Sequence, residues 1–377
     1  MNLPYLLRRI VHRLQGQVVH LEPNVSPRGN VLISFTTLGY LDRRKVVFGA
    51  HTNRWECMQM ARTFLERGYA VDVIDSTNTT FVPKKQYAYF IDNDTNMDRI
   101  APLLNTDCVK IYYITHAHWK YQNEAEEKRA RAIQEKRGID VALNRTLHES
   151  HAIDLCDIAV TFGGDFAIST YTYAGKKIVR IPNSVTHEFP SPEKKDFEKA
   201  RHNFIWVGGA GLALKRLDII LEAFAQMPEY RLAVCGKVSL SDPFAQAYAK
   251  ELYETENIKT YGFVDMETEL FKTLCDESLG MVFVSASEGA ATSVVVSMHA
   301  GLIPIISHEA GVVTGDSGIT LEEVSVNTVM NAVRSLSQES EEKLRARAMS
   351  VWNYAREHYT REKWAKGFAA FVDSLET

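Results

Sequence analysis

A chain of 377 residues is too long for one ordinary hydrophobic core and predicts two domains. Its composition, 45% hydrophobic and 24% charged, is close to the globular average and excludes large disordered tracts. A formal net charge of −4 leaves no basic field, which argues against nucleic acid as the main partner.

Five cysteines (Cys57, Cys108, Cys156, Cys235, Cys275) are scattered without metal or disulfide spacing. They read as reduced core thiols of a cytoplasmic protein. No run approaches the roughly 20 apolar residues of a membrane span. Residues 3–14, LPYLLRRIVHRL, form a short basic amphipathic stretch. It suits peripheral contact with the inner face of a membrane, or docking on its own domain.

The first half of the chain reads as alternating strands and helices. Val31–Phe35 and Lys45–Phe48 are apolar strand runs, followed by Gly49-Ala50-His51-Thr52-Asn53 and a helical pattern through Trp55, Met60 and Phe64. Gly68 stops that helix before the strand Ala70–Ile74. The unit is Rossmann-like but lacks a GxGxxG turn, so an ordinary dinucleotide site is disfavoured. Tyr87–Ile91 is a strand ending in Asp92-Asn93-Asp94. Two carboxylates there could hold a hard cation against a diphosphate; the favoured reading is turn and helix capping.

Val109–Ile114 leads to Thr115-His116-Ala117-His118, and then to a highly charged helix, Asn123–Lys136, expected to face solvent. His148 and His151 lie in a polar segment and read as surface residues. Asp157–Phe162 and Lys177–Ile181 are further strands. The polar, Pro-rich run Pro190–Lys195 reads as a linker.

Beyond it the pattern restarts. The strand Asn203–Val207 enters the loop Gly208-Gly209-Ala210-Gly211, with Lys215 and Arg216 opening a helix from Leu217 to Met227. Glycines let backbone approach a diphosphate, and Lys215 supplies a cation. A strand at Tyr230–Gly236 and another through Gly262, Phe263 and Val264 follow. The strand Gly280–Val284 then turns through Ser285-Ala286-Ser287-Glu288-Gly289 into a segment of small residues ending at Gly301, and Pro304 opens the next strand. Strand, turn, helix, strand is a βαβ unit whose helix N-terminus favours phosphate. A carboxylate beside it is poorly placed to hold phosphate but well placed to accept hydrogen bonds from sugar hydroxyls.

The stretch Ser285–Pro304 resembles the donor-site signature of retaining GT-B glycosyltransferases of family 4. Ser285, Glu288, Gly289, Met298, Gly301 and Pro304 match, with one extra residue before Pro304. Two positions depart: the family's second Glu, usually on the donor ribose, is Val296, and the Arg that many relatives carry five residues before Lys215 is Ala210.

The resemblance implies an α/β GT-B fold of two Rossmann-like domains facing a cleft. The expected division is an acceptor-side domain over 1–185, a donor domain over 186–360, and a helix over 361–377 returning to the first domain. It implies sugar transfer from a nucleoside-diphosphate sugar to a glycan or lipid-linked acceptor with retention, and no metal or other cofactor. Glu288 and His116 would act at the sugar. Gly208, Gly209, Lys215, Arg216, Gly262, Val264, Gly289, Thr292 and Ser293 would hold the donor. His51, Asn53, Arg54 and His118 would lie on the acceptor side. The alternatives are a non-catalytic module binding sugar nucleotide or glycan, or another sugar-nucleotide enzyme such as an epimerase.

Overall fold

A computed structural model describes residues 18–41 and 52–376. The amphipathic stretch 3–14, the strand expected at 45–48, and His51 lie outside the described residues.

Two parallel sheets organise the chain. The first contains β1 (Val19–Leu21), β2 (Asn30–Phe35), β3 (Ala70–Asp75), β4 (Tyr89–Asp92), β5 (Val109–Ile114), β6 (Ile158–Thr161) and β7 (Ile178–Arg180). Their order is β1-β3-β2-β4-β5-β6-β7, with only β1 antiparallel. The second contains β8 (Asn203–Gly208), β9 (Arg231–Gly236), β10 (Ile258–Gly262), β11 (Gly280–Phe283), β12 (Ile303–Ser307) and β13 (Ile319–Leu321), in the order β10-β9-β8-β11-β12-β13. The interior strands are buried on both faces, so they appear in sequence as unbroken apolar runs. In the second sheet the order reverses between β8 and β11. Parallel sheets bind ligands outside the strands' carboxyl ends at such a switch point. The glycine loop after β8 and the Glu288 turn after β11 leave from that point.

The longer helices are α1 (Asn53–Glu66), α2 (Trp119–Arg137), α3 (Leu217–Ala225), α4 (Glu269–Glu277), α5 (Thr292–His299), α6 (Val326–Ser337), α7 (Glu341–His358) and α8 (Arg361–Asp373). Trp364, Phe368, Phe371 and Val372 of α8 join the first domain's core with Val31, Phe64 and Tyr113. Trp364 stacks on Phe368 at 5.2 Å, and its indole N–H donates to Tyr113 Oη at 3.3 Å. The Tyr113 hydroxyl in turn donates to the buried Glu56 at 2.9 Å. The chain's last helix is thus part of the core of its first domain.

Helix α2 departs from its expected exposure. Its charges cross to the second domain: Arg129 pairs with Asp218, Lys136 with Glu222 at 2.5 Å, and Arg137 with Glu251 at 2.6 Å. Ile133 is buried in the second domain's core. The charged composition that suggested solvent exposure is an inter-domain seam.

His299 closes α5 and is fully buried, its Nε2–H donating to the carbonyl of Tyr359 at 2.7 Å, between α7 and α8. Burial pushes its pKa down to about 4; the Tyr359 hydrogen bond opposes this and the charge of His187 adds to it. The folded-state value lies below the unfolded one, so the unfolded chain takes up the proton first. Stability is full above about pH 6.5 and falls as pH drops toward 4, by about 3 kcal/mol from this residue alone. In urea titrations across that range, His299→Gln is expected to lose part of the wild type's acid sensitivity. Parallel pH profiles for the two proteins would refute the assignment.

Candidate functional site

The glycine loop and the Glu288 turn are tied to each other by the carbonyl of Leu214, which accepts from the Ala286 N–H at 2.8 Å. Lys215 N–H donates to Gly211 O, and Gly211 takes φ +85°, in the left-handed region that glycine enters without strain. This winding presents Lys215 Nζ to Glu288 Oε1 at 2.6 Å, with both side chains largely buried. The Ser285 hydroxyl lies 3.2 Å from the same oxygen. Burial pushes the Glu288 carboxyl up, but Lys215, Arg145 and the hydrogen bonds from Lys215 and Ser285 outweigh it. The group is held below the ordinary carboxylate range. An ionised carboxylate accepts hydrogen bonds and donates none, which suits it to reading hydroxyl groups.

The turn after Glu288 sits against the first domain, backbone to backbone. A Cβ on Gly289 would fall 2.3 Å from the carbonyl oxygen of Thr115 and 2.9 Å from the amide of His116. On its other side the Gly289 carbonyl is 2.3 Å from where a Cβ of Gly311 would stand and 2.9 Å from that of Gly163. This contact brings the end of β5 to the Glu288 turn and His116 into the same cleft.

His116 is largely buried. Its Nδ1–H donates to the carbonyl of Ala117 at 2.9 Å, which leaves Nε2 as the acceptor of the neutral ring. Burial lowers its pKa, and Arg145 and His148 push the same way against the attraction of Asp94. His116 is therefore a neutral acceptor near pH 7. Asp94 Oδ2 stands 3.7 Å from Nε2 of His116 and 3.5 Å from Nε2 of His148. Asp94 has φ +120°, a conformation rare for a residue with a side chain. His148, read from sequence as a surface residue, is half-exposed but reaches this cluster.

The two carboxylates of the Asp92-Asn93-Asp94 motif are split. Asp92 is fully buried and its Oδ2 accepts the backbone N–H groups of Asp94, Asn96 and Met97, the capping arrangement favoured from sequence. Among the described residues, no three or more His, Cys, Asp or Glu side chains are grouped to hold a metal ion.

The other sequence candidates fall into two groups. Thr292 and Ser293 open α5, whose Ala291 cap provides no side-chain hydrogen bond; Val294 and Val295 N–H donate to the Ala291 carbonyl, so the amides of Thr292 and Ser293 are the ones left to a ligand or water. Gly208 and Gly209 lead from β8 into the loop. Gly262 takes φ +72° at the end of β10, with Phe263 exposed and Val264 buried beside it. By contrast, Arg216 reaches the Val284 carbonyl and pairs with Glu309, each at 3.4 Å. His118 caps α2 and lies 3.1 Å from the Tyr173 hydroxyl. Asn53 is exposed at the start of α1, and the buried Nε of Arg54 has no partner among the described residues. At Val296, where the resemblance expects a Glu, the side chain is wholly in the core.

Sequence reasoning missed Arg145, on the loop after α2. Its stem lies across Gly211, where a Cβ would stand 2.3 Å from Arg145 Cγ. A lone Arg in a polar loop carries no local signal, and only the tertiary contact identifies it.

No family model matches the sequence, and no curated protein is similar to it. Solved structures are similar in fold. The Anabaena protein HepE, in complex with UDP and glucose, is 12% identical over 92% of this chain and 100% of its own, with a TM-score of 0.58. WaaG, a glycosyltransferase involved in lipopolysaccharide biosynthesis, is 14% identical over 90% of this chain and 98% of its own, with a TM-score of 0.54. TarM is 13% identical over 76% of this chain, with a TM-score of 0.52; the chain spans about half of TarM, 54%. The fold is GT-B. Two parallel sheets, facing loops at their carboxyl edges and a last helix returned to the first domain all fit that architecture.

The Gly289 contact gives a direct test of the domain arrangement. Gly289→Ala places a methyl against backbone on the opposite domain, which has no flexible end to move aside. Small-angle scattering is expected to show a more open particle than wild type, with unchanged far-UV circular dichroism. An unchanged scattering profile would mean that the turn does not hold the domains together.

Proposed function

We propose that the protein is a nucleotide-sugar-dependent glycosyltransferase that moves a sugar from a nucleoside diphosphate to a hydroxyl of a glycan or lipid-linked acceptor, with retention at the anomeric carbon. The observation that carries the reading is the buried Lys215–Glu288 pair at the switch point, facing His116 across the cleft. The GT-B fold and the resemblance of Ser285–Pro304 to the family 4 donor signature support it.

In this reading the diphosphate lies against Lys215 and the first-turn amides of α5 at Thr292 and Ser293. These groups offset the charge that grows as the bond from the anomeric carbon to the phosphate oxygen breaks. Glu288 accepts hydrogen bonds from the sugar's hydroxyl groups and fixes the ring. His116 Nε2 accepts a further hydroxyl hydrogen bond and orients the reacting groups. The acceptor oxygen bonds to the anomeric carbon on the face the diphosphate leaves, and its proton passes to the departing phosphate oxygen. Lys215 and the helix amides take the place that a divalent cation fills in metal-dependent transfer. Nucleotide-sugar use and five reduced thiols fit a cytoplasmic setting, with the acceptor approaching from the side of Asn53 and Arg54.

The test is a thermal-shift panel of UDP, GDP, ADP and their sugar conjugates in chelator, followed by donor hydrolysis. At 100 times its dissociation constant, a ligand of the folded state adds about 2.7 kcal/mol of stability. One base is expected to stabilise wild type, and Glu288→Ala is expected to bind the corresponding diphosphate while losing donor hydrolysis. A protein that binds none of the panel would refute the reading.

A further inference from the structure

Lys215 is already matched by Glu288, so the pair alone offers a diphosphate little net charge. A second cation stands beside it. We propose that Arg145, carried by the first domain, is a phosphate-binding residue of the donor site, so that the nucleotide-sugar's diphosphate is gripped from both sides of the cleft. The proposal rests on the glycosyltransferase reading above and adds a residue and a consequence that the reading does not contain.

Three observations support it. The Arg145 side chain crosses the cleft and lies on the glycine loop of the opposite domain, in space that only a glycine at 211 leaves open. Its Nε is buried without a partner, and the guanidinium forms no ion pair within 4 Å among the described residues. It is also held in place from behind. The buried carboxylate of Glu126 accepts the Arg145 N–H at 2.8 Å and the Asn144 N–H at 2.9 Å, and Gln122 Nε2 donates to the Arg145 carbonyl at 2.6 Å. Gln122 Oε1 lies 3.5 Å from the hydroxyl of Ser287, in the Glu288 turn. The charge of Arg145 acts on both Glu288 and His116, which places it between the two sides of the cleft.

A planar fork of donors with no carboxylate to engage it matches a phosphate. A buried Nε with an unmet donor is costly unless an acceptor completes it. Lys215 belongs to the second domain and Arg145 to the first, so a diphosphate touching both bridges them. Donor binding then reinforces the contact between the two domains.

Calorimetric titration of inorganic pyrophosphate, of UDP, GDP and ADP, and of the corresponding nucleosides tests the proposal, using wild type, Arg145→Ala, Arg145→Gln, Arg145→Lys and Lys215→Ala. Arg145→Ala and Arg145→Gln are expected to weaken the diphosphate that binds wild type by about ten- to a hundredfold. Arg145→Lys is expected to fall between these and wild type. The loss should be large for pyrophosphate and absent for the nucleoside alone, and the salt dependence of binding should become shallower. Circular dichroism shows which variants are folded, and Gln and Lys retain the polar stem should Ala not fold. If folded Arg145 variants bind the diphosphate as wild type does while Lys215→Ala does not, the proposal fails and the donor-site reading stands. If wild type binds no diphosphate, both fall.

Discussion

The structure depends on one steric fact: the peptide at Gly289 lies against the peptide at Thr115–His116 with no side chain between them. Everything placed in the cleft follows from that approach. Glu288 precedes the contact on one side, and His116 forms part of it on the other. Sheets of two separate domains can face each other in many orientations, and side-chain packing alone would leave several close in energy. Backbone in contact with backbone admits few. The glycines at 163, 289 and 311 are therefore the geometric basis of the site, although none carries a functional group.

A second constraint is electrostatic. Lys215 and Glu288 are buried together, and a buried pair offsets its desolvation only when geometry and further hydrogen bonds are good. At 2.6 Å, with Ser285 beside it, this one is well made. The same pairing keeps Glu288 ionised in a site that burial alone would neutralise. A carboxylate that must remain charged in a dry cleft needs a cation on hand, and Lys215 fills that role before any ligand arrives. In the proposed donor complex a diphosphate would compete for the lysine, and Arg145 is a second cation whose charge already acts on Glu288.

Much of this was legible in the sequence, for physical reasons that also mark where legibility ends. Buried parallel strands have no polar face, so β2, β5, β8 and β11 stand out as apolar runs, and the glycine-containing turns after β8 and β11 mark the carboxyl edge of the second sheet. Lys215 of the glycine loop and Glu288 of the later turn are 73 residues apart, yet both follow strands of one parallel sheet, and topology alone brings their ends together. The returning helix α8 showed its apolar face through Trp364, Phe368 and Phe371. What periodicity does not encode is the identity of a partner across a gap. Helix α2 looked solvated because its surface is charged, but Arg129, Lys136 and Arg137 find acids on the second domain. The three-residue edge strand β1 is too short to carry a pattern.

The motif Asp92-Asn93-Asp94 shows how local chemistry can be ambiguous until the backbone is known. Two acids at alternate positions after a strand suit either a cation or a helix cap, and sequence spacing does not separate these outcomes. The backbone does. Once the chain turns at Asp94 with φ +120°, Asp92 is directed at three amides and Asp94 at two imidazoles. Neither carboxylate then shares an open face with the other. The unusual conformation at Asp94 has a further consequence, since it brings a carboxylate to the histidine that faces the Glu288 turn. Backbone strain of this kind persists only where the surroundings fix it. Here Tyr112, His116 and His148 surround the residue, and its position joins the end of β4 to the chemistry of the cleft.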